Sequence, residues 1–292
     1  MQTLDQPDPF SLATVMIEPA YNNTPLDVTG TGFVIRTHSC PMLVTAGHNL
    51  SGRHPNGRVL HSKGGLPNSV TLTNFFGILA AGIPLFHGAN DPNTDRPKFL
   101  SGPKAHVDVA LLPLPALAGQ HLANSLDDSF WRPNTYRSGI SILHVADLCH
   151  IIGYPEGMSN RIAPNRVLPL WKTGHLANDP EFDFTDLERG FQQEPLSLVD
   201  ATTRPGMSGA PVFVINNSGL TDQWHQAAAQ ARADLMTGGA LPRRTMPPGV
   251  PFIRRSRLVG IYSGRTSDSS DIGLVWKPTV IHDLLALGTA NW

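Results

Sequence analysis

The run Gly206-Met207-Ser208-Gly209 sets a serine between two glycines. A serine hydroxyl attacks a carbonyl usefully only where donors await the oxyanion that forms. Gly206 can take backbone angles closed to other residues. Its N–H can therefore turn inward beside that of Ser208, and the two amides can serve one oxyanion. Gly209 keeps the approach to the hydroxyl open. The apolar run at 210–215 then reads as a buried strand that fixes the turn. Acyl transfer is the chemistry this arrangement suits, with Ser208 as nucleophile and the Gly206 and Ser208 amides as the oxyanion hole.

Serine is a weak nucleophile at neutral pH and needs a base held beside it. The strand-like run at 42–45 leads through Ala46 and Gly47 to His48, and 30–35 offers a partner strand for a hairpin with His48 at its rim. A third group must orient the imidazole. Asp108 heads the apolar run 107–114, where a carboxylate is expensive to bury without a partner. A histidine N–H is the natural partner. Each of these residues alone has an ordinary structural use; their joint occurrence points to catalysis by His48, Asp108 and Ser208.

Three segments, TAGH at 45–48, DVALLPL at 108–114 and GMSGAP at 206–211, together resemble the trypsin-like serine peptidases. The order His, Asp, Ser is that of this superfamily and differs from the orders of other serine hydrolases. The stretch 200–208 is similar to the bacterial HtrA-related members, and 258–264, 272–276 and 278–287 resemble the cleft strand, the next strand and the closing helix. The resemblance implies two six-stranded antiparallel β-barrels in one peptidase domain, residues 8–292, with the site in the cleft between them. The barrels would take in about 10–115 and about 140–278. It implies a serine endopeptidase working through an acyl-enzyme, with no cofactor and a protein or peptide as substrate. It places Thr202 at the base of the primary pocket, with Tyr262, Ser263, Gly264, Arg265 and Gly273 in its walls. Ser263 would also donate to Asp108. Thr202 carries no charge, so uncharged residues are expected at the cleavage position, with acidic ones, drawn by Arg265, as the alternative. Two features depart from secreted relatives. Met207 stands where many of them carry an aspartate that pairs with a new N-terminus, and Cys40 and Cys149 do not match their disulfide bracketing the histidine.

The elements that must position these residues read mainly as short strands. They fall at 11–17, 32–36, 42–45, 69–74 and 107–114 in the first half, and at 148–153, 166–177, 195–201, 209–215, 257–263 and 272–277 in the second. The 27 glycines and 26 prolines suit tight turns between them. The expected fold class is thus all-β, with a C-terminal helix. An insertion at 216–251 follows the nucleophile strand. Its first part, 220–236, is rich in helix formers, and 237–251 is rich in glycine and proline, so a helix and then a loop are expected, as a docking element for a regulatory partner.

Composition narrows the classes. The chain has 292 residues, a net charge of −1, 40% hydrophobic and 15% charged residues, so neither nucleic acid nor an acidic membrane is indicated as a partner. Two cysteines do not make a disulfide framework and read as free thiols of a reducing compartment. With no basic-then-apolar leader at the first residues and no apolar run of spanning length, a cytoplasmic protein is expected. No HExxH or CxxC spacing appears, so no metal is expected. Two rivals stay open: a barrel pair without activity that binds proteins, and an esterase with the same three residues.

Overall fold

The computed structural model describes residues 7–54, 57–60, 66–102, 104, 106–114, 117, 124–127, 143–158, 160–186, 191–216, 255–267 and 270–289. The chain opens with a short helix, α1 (Pro9–Ala13), where the sequence predicts a strand from residue 11. The reason is local: Asp8 accepts from the Phe10 N–H and Pro9 sits in the first turn, the two commonest helix-starting devices.

The first lobe comprises β1 (Thr14–Tyr21), β2 (Thr24–Pro25), β3 (Gly30–Arg36), β4 (Pro41–Thr45), β5 (Ser69–Asn74), β6 (Gly77–Pro84), β7 (Leu100–Ser101) and β8 (Ala110–Pro113). They form one curled antiparallel sheet in the order β6-β5-β1-β3-β4-β8-β7, with β2 on the side of β1. The second lobe comprises β9 (Leu148–Gly153), the hairpin β10 (Asn160–Ala163) and β11 (Arg166–Leu168), then β12 (Leu170–Leu176), the hairpin β13 (Phe184–Asp186) and β14 (Phe191–Glu194), β15 (Leu196–Asp200), β16 (Pro211–Asn216), β17 (Arg255–Arg265) and β18 (Ile272–Trp276). Six of these close into a barrel in the order β12-β15-β18-β17-β16-β9. The expected pair of barrels is therefore present, one closed and one a curled sheet. A closing helix, α3 (Thr279–Thr289), follows; a second short helix, α2 (Gly47–Ser51), lies directly after β4. The helix and loop expected within 216–251 lie outside the described residues beyond Asn216.

Three apolar clusters hold this together. Val15, Val34, Leu43, Leu72 and Leu112 fill the first lobe. Cys149, Ile151, Val199, Met207, Val212 and Tyr262 fill the second. A third, with Phe10, Phe33, Ile35, Phe213, Leu258, Trp276 and Ile281, spans the two lobes and takes in α3. Phe10 stacks on Phe213, and Trp171 Nε1 donates to Ser11 Oγ at 2.9 Å, so α1 also bridges the lobes.

Register delivers the site residues to the seam. In the β4–β8 pairing Thr45 lies opposite Ala110. Continuing that antiparallel step past the strand ends brings His48 beside Val107 and Asp108. In the β16–β17 pairing Pro211 lies opposite Ile261, and two further bonds, Tyr262 N–H to Ala210 O at 2.9 Å and Gly209 N–H to Tyr262 O at 2.6 Å, carry the ladder on until Ser208 is level with Ser263 and Gly264.

Candidate active site

The sequence expects His48 at the rim of a hairpin; the structure puts it inside α2, one residue past the helix start. That placement has a use. The first amides of a helix lack internal partners, and the His48 N–H donates to Asp108 Oδ1 at 2.9 Å. The other carboxylate oxygen, Oδ2, lies 2.7 Å from His48 Nδ1 and accepts from Ser263 Oγ at 2.6 Å. Asp108 is 5% exposed, and these three bonds make its burial tolerable. A side chain on Gly47 would crowd the carboxylate, its Cβ standing 3.2 Å from Asp108 Oδ1.

The charges settle accordingly. Burial by itself lowers the His48 pKa, but the Asp108 charge and hydrogen bond outweigh it, and the imidazole is raised above its ordinary value. Burial by itself raises the Asp108 pKa, but the His48 charge and the bonds from His48 and Ser263 outweigh that, and the carboxyl is lowered. With Nδ1–H committed to Asp108, the neutral ring presents Nε2 as its basic nitrogen.

Ser208 stands on a turn held from both lobes. Gly206 and Gly209 both have φ +88°, the left-handed region that favours glycine. A side chain on Gly209 would run into the Thr31 carbonyl and Thr45 Oγ1. The Pro205 carbonyl accepts from Glu156 N–H at 2.8 Å. Across the planar trans peptide the Gly206 N–H must then point the opposite way, away from Glu156. Among the described residues no backbone carbonyl accepts from Gly206 N–H or Ser208 N–H. From the first lobe, Thr31 N–H and Asn49 Nδ2 both donate to Ser208 O, at 3.0 and 2.8 Å. Thr31 Oγ1 donates to Gly206 O at 2.7 Å and accepts from Tyr154 N–H at 2.9 Å. The turn is thus fastened to both lobes, with the Gly206 and Ser208 amides left uncommitted to any backbone carbonyl among the described residues, and His48 and Ser208 are brought to one seam. Among the described residues no hydrogen bond joins Ser208 Oγ to His48; such bonds commonly tighten only with substrate in place.

Met207 is fully buried in the second-lobe core. Thr202 and Arg265 are exposed, and Gly273 is buried against the Tyr262 ring. A cavity of about 280 Å³ opens beside His48, bordered by Arg53, Phe99, Lys104 and Val107. Behind Asp108, the buried Glu194 of β14 takes Lys104 Nζ at 2.8 Å and lies 3.0 Å from His106 Nε2, tying the Asp108 segment to the second lobe. Burial by itself raises the Glu194 pKa, but its bonds to Lys104 and His106 outweigh that and lower it. Thr31, Asn49 and Glu194 carry no local signal of these roles, because the groups they hold here, Gly206 O, Ser208 O and Lys104 Nζ, are 90 or more residues away.

This fold and seam define a two-lobed peptidase architecture. Residues 30–219 match the Trypsin-like peptidase domain family, and the chain belongs to it: it is a trypsin-like serine peptidase, a hydrolase. No curated protein sequence matches the chain. Among solved structures it is similar to the Rv3671c protease of M. tuberculosis H37Rv in an inactive form, at 15% identity, covering 97% of this chain and 89% of that one, with a TM-score of 0.49. It is also similar to a serine endoprotease from Yersinia pestis, at 12% identity, covering 96% of this chain and 64% of that one, with a TM-score of 0.47. A thermostable serine protease, AL20, from an extremophilic microorganism is 10% identical, with 98% and 100% covered and a TM-score of 0.47.

Proposed function

We propose that this peptidase is an endopeptidase whose catalytic residues are His48, Asp108 and Ser208, working through an acyl-enzyme. Ser208 Oγ attacks the scissile carbonyl while His48 Nε2 takes its proton. The Gly206 and Ser208 amides stabilise the oxyanion of the tetrahedral intermediate. His48 then protonates the leaving amine, and the C–N bond breaks. A water, deprotonated by His48, attacks the acyl-enzyme and releases the acid. Asp108 holds the Nδ1–H tautomer and stabilises the imidazolium, and Ser263 steadies Asp108.

The observation that carries this reading is the double grip of Asp108 on His48, through Nδ1 at 2.7 Å and the backbone N–H at 2.9 Å. A carboxylate with only a structural role has no need to fix both the helix start and the ring. The primary pocket is assigned to Thr202, Tyr262, Ser263, Gly264, Arg265 and Gly273, which flank Ser208 on the second lobe. No step calls for a metal or cofactor. The whole span 8–292 is read as one peptidase domain, and the two free thiols support a reducing, cytoplasmic setting. Among the described residues no helix is long and apolar enough to cross a membrane. A regulatory partner at 216–251 belongs to the same proposal and rests on the length and composition of that segment.

A fluorophosphonate probe tests the mechanism. Wild type should be labelled at Ser208, and Ser208→Ala should be neither labelled nor active. An unlabelled wild type would leave a protein-binding module; labelling with ester turnover but no cleavage of any peptide would leave an esterase.

A further inference from the structure

Tyr262 immediately precedes Ser263 on β17, and successive residues of a strand face opposite ways. Ser263 turns toward Asp108. The Tyr262 side chain turns the other way, into the second lobe, and is 2% exposed. Its backbone is pinned to the nucleophile turn by bonds to Gly209 and Ala210 at 2.6 and 2.9 Å. Its hydroxyl shares a hydrogen bond with Thr203 Oγ1, five residues before Ser208 and itself buried. Its ring lies over Gly273: a Cβ built there would come within 2.5 Å of Tyr262 Cε2 and 3.3 Å of Cζ. Gly273 pairs with Arg265 across β17 and β18. The ring therefore runs from one wall of the assigned pocket, across the second, to the segment that leads into Ser208.

A glycine in a pocket wall normally leaves room for a ligand. Here that room is taken by a side chain of the protein itself. We propose that Tyr262 forms the floor of the primary pocket and makes it shallow, so that the enzyme cuts after small uncharged residues: glycine, alanine and serine. This rests on the assignment of the pocket walls made above and narrows it. Burial raises the Tyr262 phenol, so the floor is neutral at working pH. The residues packed around the ring, Val199, Ala201, Met207 and Val275, carry no charge either. Arg265 is exposed; its charge acts on the phenol in the opposite sense, and burial outweighs it. A leucine, phenylalanine or lysine side chain would have to displace a packed ring and break its bond to Thr203. Pockets discriminate by about 10- to 200-fold for a single methylene, so about 100-fold or more is expected here.

The test has two arms. In the first, thiobenzyl esters of N-acylated glycine, alanine, leucine, phenylalanine and lysine are compared with wild type, since activated esters report the pocket even where amide cleavage is slow. The glycine and alanine esters should exceed the other three at least 100-fold in kcat/KM, and Tyr262→Ala should gain at least 10-fold on the phenylalanine ester. Comparable rates for wild type on alanine and phenylalanine or lysine would overturn the proposal. The second arm needs no chemistry: indole is titrated into Ser208→Ala with and without Tyr262→Ala, and amide shifts are followed by NMR. Indole should bind only the double variant, shifting Thr203 and Gly273. Binding there with Tyr262 intact, or no binding to a folded double variant, refutes a ring-filled pocket. If wild type neither turns over esters nor takes the fluorophosphonate, the peptidase mechanism fails while the indole arm still decides the pocket. If Tyr262→Ala does not fold, the wild-type ester series and indole with Ser208→Ala decide it.

Discussion

Replacing Thr31 with valine should weaken both the fold and the oxyanion turn, and the structure sets the size of each effect. The change is isosteric and suits a strand, so packing in β3 is kept. What goes is one hydroxyl that donates to Gly206 O at 2.7 Å and accepts from Tyr154 N–H at 2.9 Å. Thr31 is fully buried, so water cannot readily replace it. Each buried backbone group left without a partner costs about 1–3 kcal/mol, and partial relaxation brings the pair to about 2–4 kcal/mol. For a domain of this size that is roughly 3–7 °C in Tm. Losing an oxyanion donor outright costs about 100- to 1000-fold in kcat. Here the donor stays and the Pro205–Glu156 bond still orients its peptide, so a smaller loss of about 10-fold in kcat is expected, with KM little changed. The assay is the rate of fluorophosphonate labelling, measured below the transition of the variant, beside a urea melt. Thr31→Ser keeps the hydroxyl and should restore most of both. A folded Thr31→Val that labels at the wild-type rate would refute the idea that Thr31 holds the turn.

The pH profile carries a sign. The base must be neutral, so kcat/KM should rise through the His48 pKa, above the ordinary 6.5, and then level off. A raised folded pKa stabilises the fold below 6.5 and loses that contribution as pH rises through the folded value, so Tm should slip slightly while activity climbs; activity that falls between pH 6 and 8 would contradict His48 as base. Asp108 and Glu194 work the other way, since their lowered pKa values stabilise the fold at neutral pH and the contribution fades as pH falls through the folded values. Asp108→Asn should cost roughly 10⁴-fold in kcat by favouring the wrong tautomer, with a lower Tm at neutral pH, since the amide cannot accept from all three donors; retention of more than a tenth of the activity would remove Asp108 from the mechanism. Burial pushes the Cys149 thiol up to about 12, so iodoacetamide at neutral pH should leave it unmodified in the folded protein, as peptide mapping would show. Exchanging residues 219–250 for a short Gly-Ser link should slow cleavage of a native protein substrate while ester turnover holds; equal rates on both would dismiss the regulatory partner.

Strands of both lobes were legible where they are locally written. The strands at 148–153 and 69–74 fall where alternation and turn residues put them, and β16 and β18 lie within a residue or two of expectation. The strand β6 was not legible: its sequence GILAAGIP has two glycines and a proline, and it pairs with β5 through bulges at the sheet edge, where packing asks little of it. The strand β10 and the hairpin β13–β14 were missed for the same reason, being short and mostly exposed, and the expected strand at 166–177 is broken into β11 and β12. Asp108 could be found because a buried carboxylate stands out in an apolar run. The supports of Ser208 could not, because a threonine in a strand and an asparagine after a histidine carry no local signal. Tyr262 was placed in a wall of the pocket; which way its ring turns depends on strand register, which the string of letters does not display.

The Ser208 carbonyl belongs, mechanically, to the lobe that does not contain it. Two of its donors, Thr31 N–H and Asn49 Nδ2, come from the first lobe, and Thr31 Oγ1 fastens Gly206 to the same strand. The seam between the lobes is therefore no hinge. Any rocking of one lobe against the other must first tear the nucleophile turn from its supports. The two lobes should then lose protection together: in native-state hydrogen exchange the amides of Thr31, in one lobe, and Gly209, in the other, should open with the same free energy and the same dependence on denaturant, as one cooperative unit.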